Sequence, residues 1–284
     1  MSLQKSDRLV DVYLLVCAVL STAIVVFIVL FVAWEASGSF VDPGVLSFVM
    51  DPSWHPTYSS YNLLPMLVGT LVIAAGALVV AAPLGLLSAI YLQFYCQGWL
   101  RSLVYRVLGL LAGVPSVVFG LWGLTVLVPK IAVIQQPGAS VLAGIVILSM
   151  MVLPTMALSA DAVLSQVSSE LLLAAKGLGF SKFGLVFSVA IPSAKAGLAT
   201  GFVLQLGRAL GETMAVLMVT GNVVQFPNSL FDPVRVLTSN VALEMAYAME
   251  GHRSALFFTG LILVVLIYAL VFLSNRYFGG THEG

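Results

Sequence analysis

The sequence predicts an all-α integral membrane protein with six transmembrane helices and both termini in the cytoplasm. The 284 residues are 60% hydrophobic and 8% charged, with a mean hydropathy of +1.08, whereas soluble domains carry about 25% charged residues. Six apolar segments approach or exceed the roughly 20 residues that cross a bilayer. The charged residues are distributed unevenly between these segments, and this asymmetry sets the orientation.

The six predicted spans are separated by polar connections. In order, they cover residues 12–34, 63–95, 107–128, 141–158, 198–220 and 255–273. The first is longer than the apolar core of a cleaved signal peptide, about 7–15 residues, and is predicted to stay as a helix. Pro83, Pro115 and Pro154 are expected to kink their helices. The connections 35–62 and 223–253 are predicted to be outer loops, the first ending in an aromatic belt.

The basic residues decide which side is the cytoplasm. Only Lys130, Arg235 and Arg253 fall on the side away from the termini. On the side of the termini lie the lysines and arginines at 5, 8, 101, 106, 176, 182, 195 and 276. The positive-inside rule therefore places both termini, and the connection 161–195, in the cytoplasm.

One apolar segment contains a charged pair. Arg208 and Glu212 lie inside the predicted span 198–220, four residues apart, which places them on one face of a helix. Charges at such depth are rare unless they face a cavity or a partner. Arginine has a rigid, permanently charged donor fork suited to oxyanions, so the pair predicts an anion pathway; the alternative is an ion pair that locks two helices.

Three neighbours of the pair are assigned supporting roles. Thr213 is expected to add a hydroxyl contact in the pathway, with a purely structural hydroxyl as the alternative. Gly207 and Gly211 share the four-residue spacing and are expected to let another helix approach closely, as packing residues.

The cytoplasmic connection 161–195 has a helical period interrupted by glycines. Apolar residues recur at Leu172, Ala175, Gly179 and Phe183. The interruption 177–182 predicts a helix, a turn and a second helix, and the alternative is an ordinary connection between spans.

This connection resembles a signature of ABC importer permeases. Ala174-Ala175-Lys176-Gly177-Leu178-Gly179, followed by Pro192, is similar to the EAA signature. The resemblance implies that this segment, about 164–192, is a cytoplasmic coupling helix that docks on an ATP-hydrolysing subunit. Ala174, Ala175, Gly179 and Pro192 match the signature, whereas Leu173 stands where the family usually has glutamate.

A second resemblance concerns the charged pair. Residues 207–216 followed by Thr220-Gly221-Asn222 resemble the PstC-type subunit of phosphate importers, and sulfate and molybdate permeases share only the core of this motif. Supporting stretches lie at 64–71, 82–85, 112–120 and 237–244. The resemblance implies a type I ABC importer permease fold and a phosphate pathway or gate formed by Arg208, Glu212 and Thr213.

The two resemblances together imply a function, partners and a location. The chain is expected to be a single permease domain, 12–276, between a cytoplasmic N-terminus, 1–11, and a tail, 277–284. Its expected partners are a homologous PstA-like permease subunit, two ATPase subunits and a phosphate-binding protein at the cell inner membrane. No enzymatic activity, cofactor or metal site of its own is expected. The sequence contains no Gly-Lys dipeptide and so no Walker A motif, and ATP and Mg²⁺ would be bound by the ATPase.

Two alternatives to phosphate import by ATP hydrolysis remain open. The first is a permease for another oxyanion, sulfate or molybdate. The second is a secondary transporter in which Glu212 exchanges a proton, since acids inside the membrane mark proton relays. A membrane-embedded enzyme is disfavoured, because the apolar spans offer no group of side chains with metal-ligand spacing.

Overall fold

The structure is a computed structural model that describes residues 2–40 and 44–278. Pro43 of the first outer connection and residues 279–284 of the predicted tail lie outside the described residues. The chain separates into two compact units. The smaller contains Met1–Asn62 with Glu244–Ile262, and the larger contains Leu63–Leu243 with Leu263–Gly284.

The described residues are mostly helical. The helices are α1 (Ser2–Ala36), α2 (Ser47–Met50), α3 (Leu64–Ile90), α4 (Gly98–Ala112), α5 (Ser116–Trp122), α6 (Val128–Ile134), α7 (Val141–Ser165), α8 (Ser169–Gly177), α9 (Lys182–Gly184), α10 (Ile191–Leu210), α11 (Met214–Val219), α12 (Leu237–Glu244) and α13 (Glu250–Phe278). One-turn π-helical segments continue α3 through Tyr91–Tyr95, join α5 to α6 through Gly123–Leu127, and join α9 to α10 through Leu185–Ala190.

The first outer connection is folded rather than an open loop. It contains α2 and an antiparallel hairpin of β1 (Trp54–His55) and β2 (Ser60–Tyr61). Trp54 is buried, and its indole N–H donates to Glu244 Oε2 at 2.8 Å. The same carboxylate oxygen lies 2.9 Å from His252 Nε2. The Glu244 carboxylate therefore joins the hairpin to His252 within the smaller unit. The same two bonds pair a buried charge that would be costly without partners.

Helices α3 and α7 form the core of the larger unit and pack along their length. The contact is close because small residues face it, as is common between membrane helices. Ala74, Ala77 and Ala81 of α3 are fully or almost fully buried. A Cβ added at Gly85 would lie 2.6 Å from Met156 of α7, so no larger residue fits there without a shift.

Six helices are long and apolar enough to cross a membrane among the described residues, which confirms the predicted number. They are Val10–Phe40, Leu64–Tyr95, Ser116–Ile134, Val141–Ser165, Lys182–Leu210 and Gly251–Ser274.

The predicted bounds of the third span, 107–128, were wrong. α4 ends at Ala112, and α5 begins at Ser116 after Pro115. Proline disfavours helical backbone in the residue before it, so Pro115 separates two helices instead of kinking one. Residues 98–112 form a separate helix, and the span continues to Ile134.

The predicted bounds of the fifth span, 198–220, were also wrong. The fifth apolar helix begins at Lys182, so the second helix of the cytoplasmic segment continues into the membrane. It ends at Leu210, and the chain leaves helical hydrogen bonding before α11 begins at Met214. This break lies between Arg208 and the rest of the predicted span.

Candidate functional site

The charged motif lies at a break between two helices. Arg208 is in the last turn of α10, Gly211 is the residue that ends this helix, and Thr213 precedes the first turn of α11. Because Glu212 follows the end of α10, it does not share a helix face with Arg208. No ion pair joins the two side chains in the part of the chain that the structure describes. The i, i+4 pairing inferred from the sequence is therefore not formed.

Glu212 instead stabilises the start of α11. Its Oε1 accepts a hydrogen bond from the backbone N–H of Ala215 at 3.1 Å, one of the donors that a helix start leaves without an intrahelical partner. Its backbone carbonyl accepts from the hydroxyl of Thr238 at 2.9 Å. Glu212 is half-buried and is held from both its side chain and its main chain.

The second outer connection folds back against this break. Thr70 of α3 accepts a hydrogen bond from the backbone N–H of Leu237 at 3.0 Å, and this bond places the first turn of α12 beside Glu212. A cavity of about 10 Å³ lies between Thr70, Glu212 and Thr238, a volume close to that of one water molecule. Sequence reasoning did not select Thr70 or Thr238 as site residues, because nothing local indicates that Thr70 bonds Leu237 or that Thr238 bonds Glu212.

Arg208 is exposed in the isolated chain. Its guanidinium makes no hydrogen bond or ion pair with any residue that the structure describes. A guanidinium carries five N–H donors in a fixed fork, which matches the geometry of an oxyanion. The arrangement therefore presents an uncompensated positive charge at the end of a membrane helix.

The three neighbouring site residues have different surroundings. The Thr213 hydroxyl donates to the carbonyl of Gly211 at 3.3 Å. A Cβ added at Gly207 would touch Ile267 of α13 at 3.4 Å, so Gly207 lies at a helix contact. A Cβ added at Gly211 would meet only carbonyls of its own helix, the nearest, that of Gly207, at 3.6 Å.

The cytoplasmic segment forms the predicted helix, turn and second helix. α8 ends in a turn at Gly179, whose φ is +84°. The N–H of Gly179 bonds the carbonyl of Lys176 at 3.0 Å, and the N–H of Phe180 bonds the carbonyl of Ala175 at 3.2 Å. These two bonds are the Schellman motif that ends many helices. The Ser181 hydroxyl then accepts from the N–H of Gly184 at 3.1 Å and starts α9.

This segment presents apolar side chains to solvent. Leu173 is 64% exposed, Leu178 79% and Phe183 65%. Among the four signature residues, Ala175 is buried, whereas Ala174, Gly179 and Pro192 are exposed. Pro192 lies in the first turn of α10 and lines a groove of about 490 Å³ with residues from the end of α7. Exposed apolar surface of this kind, rimmed by polar residues, marks an interaction site.

A third group of polar side chains lies between α7 and α10. Thr155 and Ser159 of α7 face Gln205 of α10, and the Thr155 hydroxyl donates to Gln205 Oε1 at 2.8 Å. The sequence reasoning did not select these residues, although a glutamine in an apolar span is a signal that could have indicated them. No group of three or more His, Cys, Asp or Glu side chains that could hold a metal occurs among the described residues.

Comparison with known proteins identifies the family. Residues 81–280 match the family described as the inner membrane component of binding-protein-dependent transport systems. The chain is 36% identical over 266 residues to a probable ABC transporter permease protein, YqgH, of Bacillus subtilis (strain 168), covering 90% of this chain and 86% of the relative. It is 32% identical over 285 residues to the phosphate transport system permease protein PstC of Pasteurella multocida (strain Pm70), covering 93% and 86%.

Solved structures share the fold. A bacterial ABC transporter involved in the import of the acidic polysaccharide alginate superposes with a TM-score of 0.67 at 16% identity, over 95% of this chain and 96% of that one. The MetNI methionine ABC transporter in an inward-facing conformation superposes with a TM-score of 0.58 at 20% identity, over 76% and 92%. Together with the six apolar helices, these findings establish that the chain belongs to the family of multi-pass inner membrane permease components of binding-protein-dependent ABC importers.

Proposed function

We propose that this chain is the permease subunit of an ATP-driven phosphate importer and forms half of the translocation pathway. The observation that carries the proposal is the Arg208 guanidinium, exposed at the end of α10 and unpaired among the described residues. Relatives named as phosphate transport permeases, at about the identity of the Pasteurella protein, support phosphate as the anion.

Arg208 is the group that meets the anion in this proposal. A phosphate oxygen pair accepts the bidentate hydrogen bonds of a guanidinium. The carboxylate of Glu212 lies beyond the helix break and is already engaged with α11, so it does not neutralise Arg208 directly. Its negative charge, four residues further along the chain, would weaken the binding of an anion at Arg208. Moderate binding favours release, which a transport pathway requires.

Thr213 and the two glycines complete the proposed pathway. The Thr213 hydroxyl can turn from the carbonyl of Gly211 toward an anion, since their 3.3 Å bond is long for a hydroxyl donor. Gly207 and Gly211 leave the face of α10 that bears them without side chains, so that α13 and the partner permease can approach it there.

The coupling segment connects this chain to ATP hydrolysis. The exposed Leu173, Leu178 and Phe183 supply an apolar surface for an ATPase subunit, which would bind ATP and Mg²⁺ itself. Leu173 stands where the family usually has glutamate, so its contact with the ATPase would be apolar instead of acidic. The further partners in the proposal are a homologous PstA-like permease, a second ATPase and a phosphate-binding protein. Membership of a binding-protein-dependent family supports this function over gradient-driven transport through Glu212.

The test is ATP hydrolysis by the complete complex in lipid, with phosphate, sulfate and molybdate added in turn. Phosphate alone should stimulate hydrolysis and drive uptake. Arg208→Gln should reduce phosphate uptake at least about tenfold, because the amide cannot replace a desolvated charged hydrogen bond worth about 1.5–3 kcal/mol. Arg276→Gln, which removes an exposed arginine at the end of α13, is the matched control and should behave as wild type. Unchanged uptake by Arg208→Gln would reject the pathway, and stimulation by another oxyanion would reject phosphate.

A further inference from the structure

The three polar side chains between α7 and α10 are unusual because they lie inside two apolar spans. Their hydrogen-bond donors are also incompletely paired. The Thr155 hydroxyl lies 2.8 Å from Gln205 Oε1 and 2.9 Å from the carbonyl of Val152. Gln205 Nε2 lies 3.4 Å from the hydroxyl oxygen of Ser159. All three side chains are half-buried. They form one cluster, which we call the Gln205 cluster.

The Gln205 cluster has hydrogen-bond donors to spare. The glutamine amide carries two N–H groups, and its single bond among the described residues, to Ser159, is at the outer limit of length. The Ser159 hydroxyl accepts this bond and donates to no acceptor among the described residues. A cluster that served only to join the two helices would satisfy these donors, since unpaired polar groups are costly in a membrane.

The cluster continues the face of α10 that bears Arg208. Gln205 precedes Arg208 by three residues, which is about 4.5 Å along the helix axis on the same face. Gly201 lies one further turn toward the cytoplasmic end of α10. A Cβ added there would meet only Ser159, at 3.9 Å, so the space beside the cluster is open.

We propose that Gln205, Ser159 and Thr155 form a second oxyanion site, which receives phosphate from Arg208 on its way to the cytoplasm. This inference rests on the proposed function and extends it by one binding step. The Gln205 amide and the Ser159 hydroxyl supply the spare donors, Thr155 orients Gln205 through its bond to Oε1, and the site carries no net charge. Neutral donors hold an anion less tightly than a guanidinium does, so phosphate moves from the charged site through the neutral one to water.

Two substitutions at Gln205 test the site in the complete complex, with phosphate uptake into vesicles as the measurement. Gln205→Glu keeps the size of the side chain and places a negative charge where the anion would bind. It should lower the maximal uptake rate at least tenfold. The half-saturating phosphate concentration should stay unchanged, because the binding protein captures phosphate first. Gln205→Leu should lower the rate by a smaller factor.

A pair of isosteric substitutions separates a binding role from helix packing. Thr155→Val removes one of the two hydroxyls of the cluster. Thr200→Val removes a hydroxyl of α10 whose one bond, among the residues that the structure describes, is to the carbonyl of Ala196 in its own helix. Thr155→Val should lower maximal uptake severalfold at an unchanged melting temperature of the complex, and Thr200→Val should match wild type.

The outcomes distinguish this inference from the proposed function. Wild-type uptake by both Gln205 variants, together with loss of uptake in Arg208→Gln, would overturn the second site and leave the pathway through Arg208 standing. An equal loss in Thr155→Val and Thr200→Val, or a loss that follows a lower melting temperature, would also overturn it, because the cluster would then be a packing feature. Wild-type uptake by Arg208→Gln would reject the proposed function itself.

Discussion

Two of the breaks between helices of the larger unit invite comparison, one at Gly179 in the cytoplasmic segment and one at residues 211–213 beside Arg208. At Gly179 the backbone has φ +84°, and both hydrogen bonds of the turn come from residues within five positions. At residues 211–213, Gly211 keeps φ near −84°, and the groups freed by the break are bonded by the Glu212 side chain and by Thr238. The first break is held by local bonds alone, and the second is held by local bonds together with one tertiary bond from Thr238.

The difference teaches how each break can serve transport. A local turn keeps its shape when the rest of the chain moves, so under the proposed function the cytoplasmic segment would transmit a displacement as one body. A break held by Thr238, from a connection 26 residues later, depends on the position of that connection. Movement of the outer connection would therefore change the surroundings of Glu212, whereas movement of the cytoplasmic segment need not change the turn at Gly179.

The largest expected effect is at Gly179. Gly179→Ala should reduce phosphate-stimulated ATP hydrolysis by the complex about tenfold, because left-handed backbone costs a residue with a Cβ roughly 1–2 kcal/mol and the turn would reorient Phe183. Gly177→Ala is the matched control: both glycines have open space around them, and only Gly179 has a positive φ. Equal activity of the two variants would show that the turn does not position the docking surface.

The second-largest effect is expected at Glu212, where two substitutions separate its role as a helix cap from the role of its charge. Glu212→Ala removes the acceptor for the Ala215 N–H and should lower the stability of the complex by about 1 kcal/mol, as the loss of a helix cap does. Glu212→Gln retains an acceptor oxygen and should keep most of that stability while removing the charge. Thermal unfolding and phosphate uptake are measured on both variants. Normal uptake with Gln would show that Glu212 acts only as a cap, and a faster proton-dependent uptake would contradict the ATP-driven mechanism.

The smallest effect is expected at Thr238. Thr238→Val removes the hydroxyl that bonds the Glu212 carbonyl, and the adjacent one-water cavity allows a water molecule to replace it. The loss of stability should be about 0.5 kcal/mol, at the low end for a single hydrogen bond. Thermal unfolding beside Thr200→Val measures it. A loss as large as that of Glu212→Ala would show that the tertiary bond, rather than the cap, holds the break.

Composition and local sequence pattern were sufficient to predict much of the fold. The six spans follow from apolar segments of bilayer length, and the helix–turn–helix follows from the glycines around Gly179. Where a predicted helix boundary was wrong, the local sequence was compatible with more than one helix boundary. Pro115 ends one helix and starts another, although a proline in a membrane helix can also only kink it.

The sequence by itself determined the membrane class, the number of spans, the turn at Gly179 and the presence of Arg208 in an apolar segment, because these depend on composition and on backbone preferences within a few residues. Only the tertiary structure decided that α10 ends at Leu210 and that Glu212 caps α11 instead of pairing with Arg208. It also brought Thr238 and Thr70 to the break and Gln205 to α7. The physical reason is that a polar group removed from water needs a partner, and for the Glu212 carbonyl, the Leu237 N–H and Gln205 that partner comes from a distant part of the chain.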